Sequence, residues 1–405
     1  MSFQLSMPIF KQLLILMIVI WTIAVLLRRI GMPTIMGELI AGILIGPAVL
    51  GLIEPNEIID ILAQLGIFFI MLHTGVETNP REFITALRKS FGIATIGALF
   101  PFLTSMSIAL LFGYSINTAL FVGIIFTATA VVVTLKILND LNLQNTRLAR
   151  VIVASCIIDD LLSLMFFSII LSVIKSEEIS LLTLLMVGLK STLFFGIIII
   201  TGYYLYPILG RAFRDPQGKG FTFLLILGIG FGIFAELIGL HMILGAYLAG
   251  LFFREEVASN ELIKKVKDRL YGIAYSFLGP IFFISLGFHI TFGAFTTSGI
   301  LLVVTLVCSC IISQIVSAGG MAKLVKFSNI ESLTIGIGMC GRAEVAFILS
   351  AIGLKLEVID DTLFSILIFS TFILNLFASL GLKGCAILLK RKYKSDYNTF
   401  QKELL

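Results

Sequence analysis

The sequence predicts an all-α polytopic membrane protein, about thirteen transmembrane helices arranged as inverted-topology repeats with two crossing broken helices. Three observations carry this: an extreme hydropathy laid out in long unbroken runs, an internal duplication shifted by an odd number of crossings, and a matched pair of crossings interrupted by small and polar residues. The 405 residues are 58% hydrophobic and 13% charged, with a mean hydropathy of +1.08, whereas soluble domains average about 25% charged residues. A spanning helix needs roughly 20 mostly apolar residues. Backbone polar groups in lipid must pair within a helix or around a closed barrel, and runs of this length without period-2 alternation select helices. No soluble-enzyme reading survives, and no enzymatic activity is expected.

Taken in order, the hydrophobic segments are 9–27, 33–53, 58–76, 91–113, 117–138, 148–174, 180–210, 220–237, 239–253, 271–290, 298–320, 331–354 and 362–389. Short loops separate them, so residues 1–389 form one integral domain, and 390–405 form a short tail. Loops after odd-numbered segments carry the basic residues, among them Arg28, Arg29, Arg81, Arg88, Lys89, Arg147, Lys264, Lys265, Lys267, Lys390 and Arg391. Loops after even-numbered segments are acidic or uncharged. The positive-inside rule then puts the N-terminus outside and the C-terminus in the cytoplasm. This distribution accounts for the net charge of +5 without an acidic or nucleic-acid partner.

The duplication is visible in two phrases. GELIAGILIGP from Gly37 is echoed by GAYLAGLFF from Gly245, and IFFIMLHTGVE from Ile67 by IFFISLGFHIT from Ile281, at offsets of 208 (245 − 37) and 214 (281 − 67). Segment 2 thus matches segment 9 and segment 3 matches segment 10, giving repeats of about 33–174 and 239–389. A shift of seven crossings inverts the copy, the architecture of secondary transporters, which bind substrate near the midplane beside interrupted helices. The same shift pairs segment 5 with segment 12. Segment 5 holds Thr127, Thr129 and Ala130; segment 12 holds Gly336, Gly338, Gly341, Arg342 and Glu344. Threonines bonded back to helix carbonyls and glycines at close helix contacts would leave the same residues, but the matched pair favours two breaks.

Segment 6 carries the chemistry. Asp159 and Asp160 sit in the middle of an apolar run, where a charge costs several kcal/mol and acids usually face water or a partner. Two neighbouring carboxylates cannot both be ionised cheaply in a low dielectric. A monovalent cation and a proton are therefore alternative ways of neutralising one site. Successive helical residues point about 100° apart, so Asp160 is assigned to bind cation or proton, with Asp159 as its neighbour. Ser155 is placed to add an oxygen or to bond its own helix. Thr127, Thr129 and carbonyls freed around Ala130 are candidates to complete a shell of the oxygen type that hard cations prefer. Arg342 and Glu344 are expected to stabilise the opposed helix ends rather than to contact the ion. Glu38 reads as an acid near the cytoplasmic end of segment 2; His73, His241 and His289 read as packing or interface residues. The five cysteines lie inside apolar segments and read as small hydrophobes. No resident metal or cofactor is expected, since no ligand spacing, Walker motif or G-x-G-x-x-G appears.

The Asp159-Asp160 pair, the crossing stretch from Thr127 to Val131, PTIMGELIAGILIGPAVLGLI, IFFIMLHTGVET and Gly341-Arg342-Ala-Glu344 together resemble the monovalent cation:proton antiporter-2 family over roughly residues 9–389. Within it the chain is similar to the sodium/proton antiporters, including those of spore-forming bacteria that act in germination. The resemblance implies a homodimer in the cell membrane, with segments 1–3 and 8–10 as a dimerisation scaffold and 4–6 and 11–13 as a moving core. It also implies Asp160 as the ion-binding residue and sodium or potassium exchanged for protons. Two places depart from the family pattern. Cys310 stands where electrogenic members carry a lysine in segment 11, which bears on the stoichiometry, and Ala130 replaces a serine, which bears on cation preference. The tail after segment 13 is too short for a nucleotide-binding gating domain. An ion channel, a potassium/proton exchange protein and a receptor that kept the fold are the rival readings.

Overall fold

The computed structural model of the chain describes residues 7–30, 34–77, 80–130, 134, 138, 146–175, 219–238, 240–253 and 260–393, with scattered positions between 189 and 204. Among these residues the structure is helical and contains no strand. In chain order the helices are α1 (Met7–Ile30), α2 (Thr34–Ile45), α3 (Glu57–Glu77), α4 (Pro80–Leu111), α5 (Ile116–Ile125), α6 (Arg147–Lys175), α7 (Lys219–Leu237), α8 (Met242–Leu251), α9 (Asn260–Ile273), α10 (Gly279–Phe288), α11 (Thr297–Gln314), α12 (Gly320–Leu324), α13 (Asn329–Gly338), α14 (Glu344–Lys355) and α15 (Asp361–Tyr393). Single π turns, Ala274–Leu278 and Ile315–Gly319, join α9 to α10 and α11 to α12. Seven described helices or helix runs are long and apolar enough to cross a membrane. These elements coincide with the predicted segments, except that segment 7 and the second half of segment 5 lie largely outside the described residues. Segment 4 begins at Pro80 rather than at 91, and segment 10 also starts earlier than predicted. Its helix begins at Asn260, inside what reads as a basic loop, because α9 carries its apolar residues on one face only, burying Val266 and Leu270 while Lys264 and Arg269 are exposed.

The chain divides into two compact units, Met1–Thr78 with Leu185–Phe292, and Asn79–Leu184 with Gly293–Leu405. Each draws on both halves of the sequence.

In the first unit α2 packs against α10, and α8 packs against α3. Exchanging the two repeats turns α2 into α8 and α10 into α3, so each contact is the image of the other. The shared glycines make it possible. A Cβ on Gly42 would stand 2.0 Å from the carbonyl oxygen of Ile284, and one on Gly250 would stand 2.3 Å from that of Leu72. Backbones meet here without side chains between them, as small residues permit in membrane helices. Glu38 is buried in the second turn of α2 in this unit. His73 packs between the rings of Tyr271 and Tyr275, and His241 caps α8 by accepting from Ile243 N at 3.3 Å.

The second unit contains the interrupted crossings. α5 begins at Ser115, whose hydroxyl accepts from Thr118 N. α13 begins at Ser328 in a reciprocal capping box with Glu331, the arrangement that Ser-x-x-Glu predicts. Both helices run for ten residues and stop, at Ile125 and at Gly338. Helix resumes at Glu344 in the second crossing. Between the stops lies the place the rest of the unit surrounds.

Candidate functional site

Where two half-helices end inside a bilayer, the last carbonyls of each lack intrahelical partners and carry the negative end of the helix dipole. The structure meets that demand with one side chain. Arg342 is fully buried, and its Nε donates to Phe126 O at 2.9 Å while an Nη donates to Met339 O at 2.7 Å and to Gly341 O at 3.1 Å. Phe126 and Met339 are the C-cap residues of α5 and α13, so a single guanidinium closes both. Its remaining nitrogen donates to Gln314 Oε1 at 3.2 Å. Gln314 stands at the entry of the π turn, a feature often found at functional sites. The two breaks are joined directly by Ala130 N donating to Gly341 O at 2.9 Å, and Thr134 Oγ1 donates to Gly338 O at 3.0 Å.

The acid pair lies on α6, which begins with the Thr146 hydroxyl accepting from Ala149 N. Asp159 is fully buried and Asp160 is 4% exposed. Thr129 Oγ1 donates to Asp159 Oδ2, while the second oxygen of Asp159 and Oδ1 of Asp160 are buried with no hydrogen-bond partner. Ser155, one turn earlier, has a buried hydroxyl without a partner. Glu344 opens α14; its Oε1 is also buried without a partner, and its charge lies within electrostatic reach of Asp160, as that of Arg342 does for Asp159.

The predicted residues therefore separate into three groups. Asp159, Asp160, Ser155 and Glu344 present free buried oxygens. Thr129 and Ala130 tie the first break to α6 and to the second break. Thr127 does neither, for its hydroxyl bonds back to Gly123 O at 3.1 Å, which leaves it a satisfied helix-end hydroxyl. Cys310 is fully buried on α11. Val131 and the continuation of segment 5 lie outside the described residues, apart from Thr134 and Leu138.

Two further residues escaped the sequence reading: Gln314, and Asn375 on α15, whose Nδ2 donates to Arg342 O. Each is a lone amide in an apolar run, a signal weaker than a charge but of the same kind.

The electrostatic balance is uneven. Among the described residues of this unit, the buried charged side chains are Asp159, Asp160, Glu344 and Arg342, three acids to one base. Ionised carboxylates out of water need compensation, so the site calls for positive charge from outside. Among the described residues no three His, Cys, Asp or Glu side chains converge on a metal position. The free oxygens are a dispersed set of carboxylate and hydroxyl atoms of the type hard cations take.

Comparison with known proteins gives a consistent picture. The family model described as "Sodium/hydrogen exchanger, transmembrane" matches residues 13–387. The chain is 32% identical to the probable Na(+)/H(+) antiporter GerT of Bacillus cereus, over 84% of this chain and 89% of that protein. It is 31% identical to the Na(+)/H(+)-K(+) antiporter GerN of the same organism, over 84% and 86%, and 28% identical to a Na(+)/H(+) antiporter of Enterococcus hirae, over 88% and 92%. The fold matches the solved structure of the sodium proton antiporter MjNhaP1 from Methanocaldococcus jannaschii with a TM-score of 0.67, 17% identity, and coverage of 96% and 97%.

Proposed function

As the chain belongs to the sodium/hydrogen exchanger family, we propose that it is a secondary active antiporter that exchanges a monovalent cation, sodium or potassium, for protons by alternating access. One observation carries the reading: the buried charged side chains among the described residues of this unit are three carboxylates and one guanidinium, with unpartnered oxygens on Asp159, Asp160 and Glu344 and on Ser155 one turn before Asp159. Such a site is neutral only when it takes up positive charge. A cation and protons are interchangeable in that role, and mutually exclusive occupancy is what couples their opposite movements.

Asp160 receives the cation or proton. Asp159, steadied by Thr129, sets the charge beside it, and Ser155 adds a hydroxyl oxygen. Arg342 keeps the carbonyl ends of α5 and α13 neutralised while the site empties and fills. The unit bearing these residues moves during the cycle, and the other supplies the contacts of a homodimer embedded in lipid. The protein works in the cell membrane, with its N-terminus outside and its C-terminus in the cytoplasm. The likeness to GerT, a probable Na(+)/H(+) antiporter, and to GerN, a Na(+)/H(+)-K(+) antiporter, supports sodium and potassium as the cations to test.

Purified protein in sealed liposomes, given an outward sodium or potassium gradient, should acidify the lumen as the cation leaves. Asp160→Asn should abolish the exchange while the protein elutes and melts as a folded species. Full exchange by that variant would remove Asp160 from the mechanism. Cation flux without proton countertransport would make the protein a channel.

A further inference from the structure

The two breaks follow one plan, and the difference between them is informative. Ser115 and Ser328 open the half-helices, Phe126 and Met339 close them, and Thr129 and Arg342 follow, each pair 213 residues apart (328 − 115, 339 − 126, 342 − 129). The next helices, α6 and α15, start from Thr146 and Asp360, which both accept from the N–H three residues on. In the first repeat the break is latched to the middle of α6 through Thr129 and Asp159. In the second, the equivalent position, Arg342, is latched to the middle of α15 through Asn375. Asn375 stands two residues beyond the place equivalent to Asp159.

The latches have opposite polarity. In the first, the break donates and a carboxylate accepts, so a proton or cation on Asp159 competes with the bond. In the second, an amide N–H donates to a peptide carbonyl, and neither group titrates. The amide orientation follows from chemistry, because a carbonyl only accepts and Nδ2 is the atom that donates. Asn375 is 2% exposed, its Oδ1 has no partner, and that oxygen lies 3.2 Å from where a Cβ on Gly341 would stand. The amide thus sits against the backbone of the break.

We propose that Asn375 is a positioning residue, the charge-neutral twin of Asp159, whose amide latches the second break to α15 and so keeps Arg342 seated across both half-helix ends whatever the site has bound. The first latch is the one that alternates; the second is held constant by having nothing to titrate. Only the transport arm of the test below rests on the exchange reading.

Asn375→Asp makes the second latch titratable. A protonated carboxyl still donates to Arg342 O, whereas an ionised one offers that carbonyl only lone pairs. The buried ionisable groups on the elements around it are Arg342 and Cys340 in the break, Glu344 on α14 and Cys310 on α11. These are present in wild type too, so a difference between the two pH profiles belongs to the new carboxyl. The full-length variant should melt like wild type in detergent at acid pH and progressively below it as the pH rises. Its rate of cation-driven proton exchange should match wild type at acid pH and fall about ten- to a hundredfold below it at alkaline pH, the effect of one buried carbonyl left unsatisfied. Asn375→Leu, which keeps the bulk and loses the donor, should be impaired at every pH. The proposal is overturned by parallel melting and exchange profiles for Asn375→Asp and wild type, by a wild-type-like Asn375→Leu, or by an Asn375→Asp protein that does not fold even at acid pH. A wild type that exchanges nothing would sink the antiport reading, and the melting curves alone would then decide the latch.

Discussion

Replacing Arg342 by alanine removes the one group that closes both half-helices. Four hydrogen bonds are lost, to Phe126 O, Met339 O, Gly341 O and Gln314 Oε1, and among the described residues Gly341 O alone of these acceptors keeps a donor, Ala130 N. A hydrogen bond to a charged group contributes about 1.5–3 kcal/mol, so the four together are worth on the order of 6–12 kcal/mol before compensation. Removing the guanidinium also relieves the cost of burying its charge, several kcal/mol. The net loss is therefore about 3–5 kcal/mol, the range found when one partner of a buried ionic network is deleted. That is a large share of the 5–15 kcal/mol typical of folded proteins. Arg342→Lys keeps the charge but replaces five donors in a planar fork by three on a compact ammonium, which cannot span two helix ends at once. Thermal melting of detergent-purified protein, followed as the loss of the monodisperse peak in size exclusion, should rank wild type above Arg342→Lys and Arg342→Lys above Arg342→Ala. An alanine variant that melts like wild type would refute the double-capping argument. A lysine variant equal to wild type would show that charge alone, without the fork, holds the ends.

Two other substitutions bear on separate parts of the account. Thr129→Val keeps the shape but leaves Asp159 Oδ2 without its donor; at about 1.5–3 kcal/mol for such a bond, which competes with the ion for Asp159, apparent cation affinity in exchange assays should tighten by roughly ten- to a hundredfold, and an unchanged affinity would dismiss the first latch. In the first unit, Gly42→Ala and Gly250→Ala force a Cβ against backbone at 2.0 and 2.3 Å, so each should lower the melting point by the equivalent of about 1–3 kcal/mol, while Gly230→Ala, where nothing lies within 4 Å, should not.

What could be read from the sequence was whatever broke the monotony of an apolar chain. An aspartate pair, an arginine and a run of glycines are anomalies among leucines and isoleucines, and together with the offset of the two echoed phrases they located the breaks. The partners were not legible. Arg342 finds Phe126 O across 216 positions, and a backbone carbonyl leaves no trace in the side-chain sequence. Thr127 and Thr129 look alike in a list, yet one bonds its own helix end and the other Asp159, a distinction set by where α5 stops. Asn375 carries only a weak signal, because an amide in a membrane helix has many ordinary uses and its partner is a backbone carbonyl of the break. The early start of segment 10 was hidden by the polar face of α9, which hydropathy averages into a loop.

The central claim is that protons and a cation compete for the same buried oxygens. The measurement closest to it is proton release from the purified protein in a weakly buffered detergent solution when sodium or potassium is added. The account predicts release of about one to two protons per cation bound, as one ion displaces another from a site that must stay near neutrality, and none from Asp160→Asn. Saturable cation binding by the wild type with no proton release would contradict it.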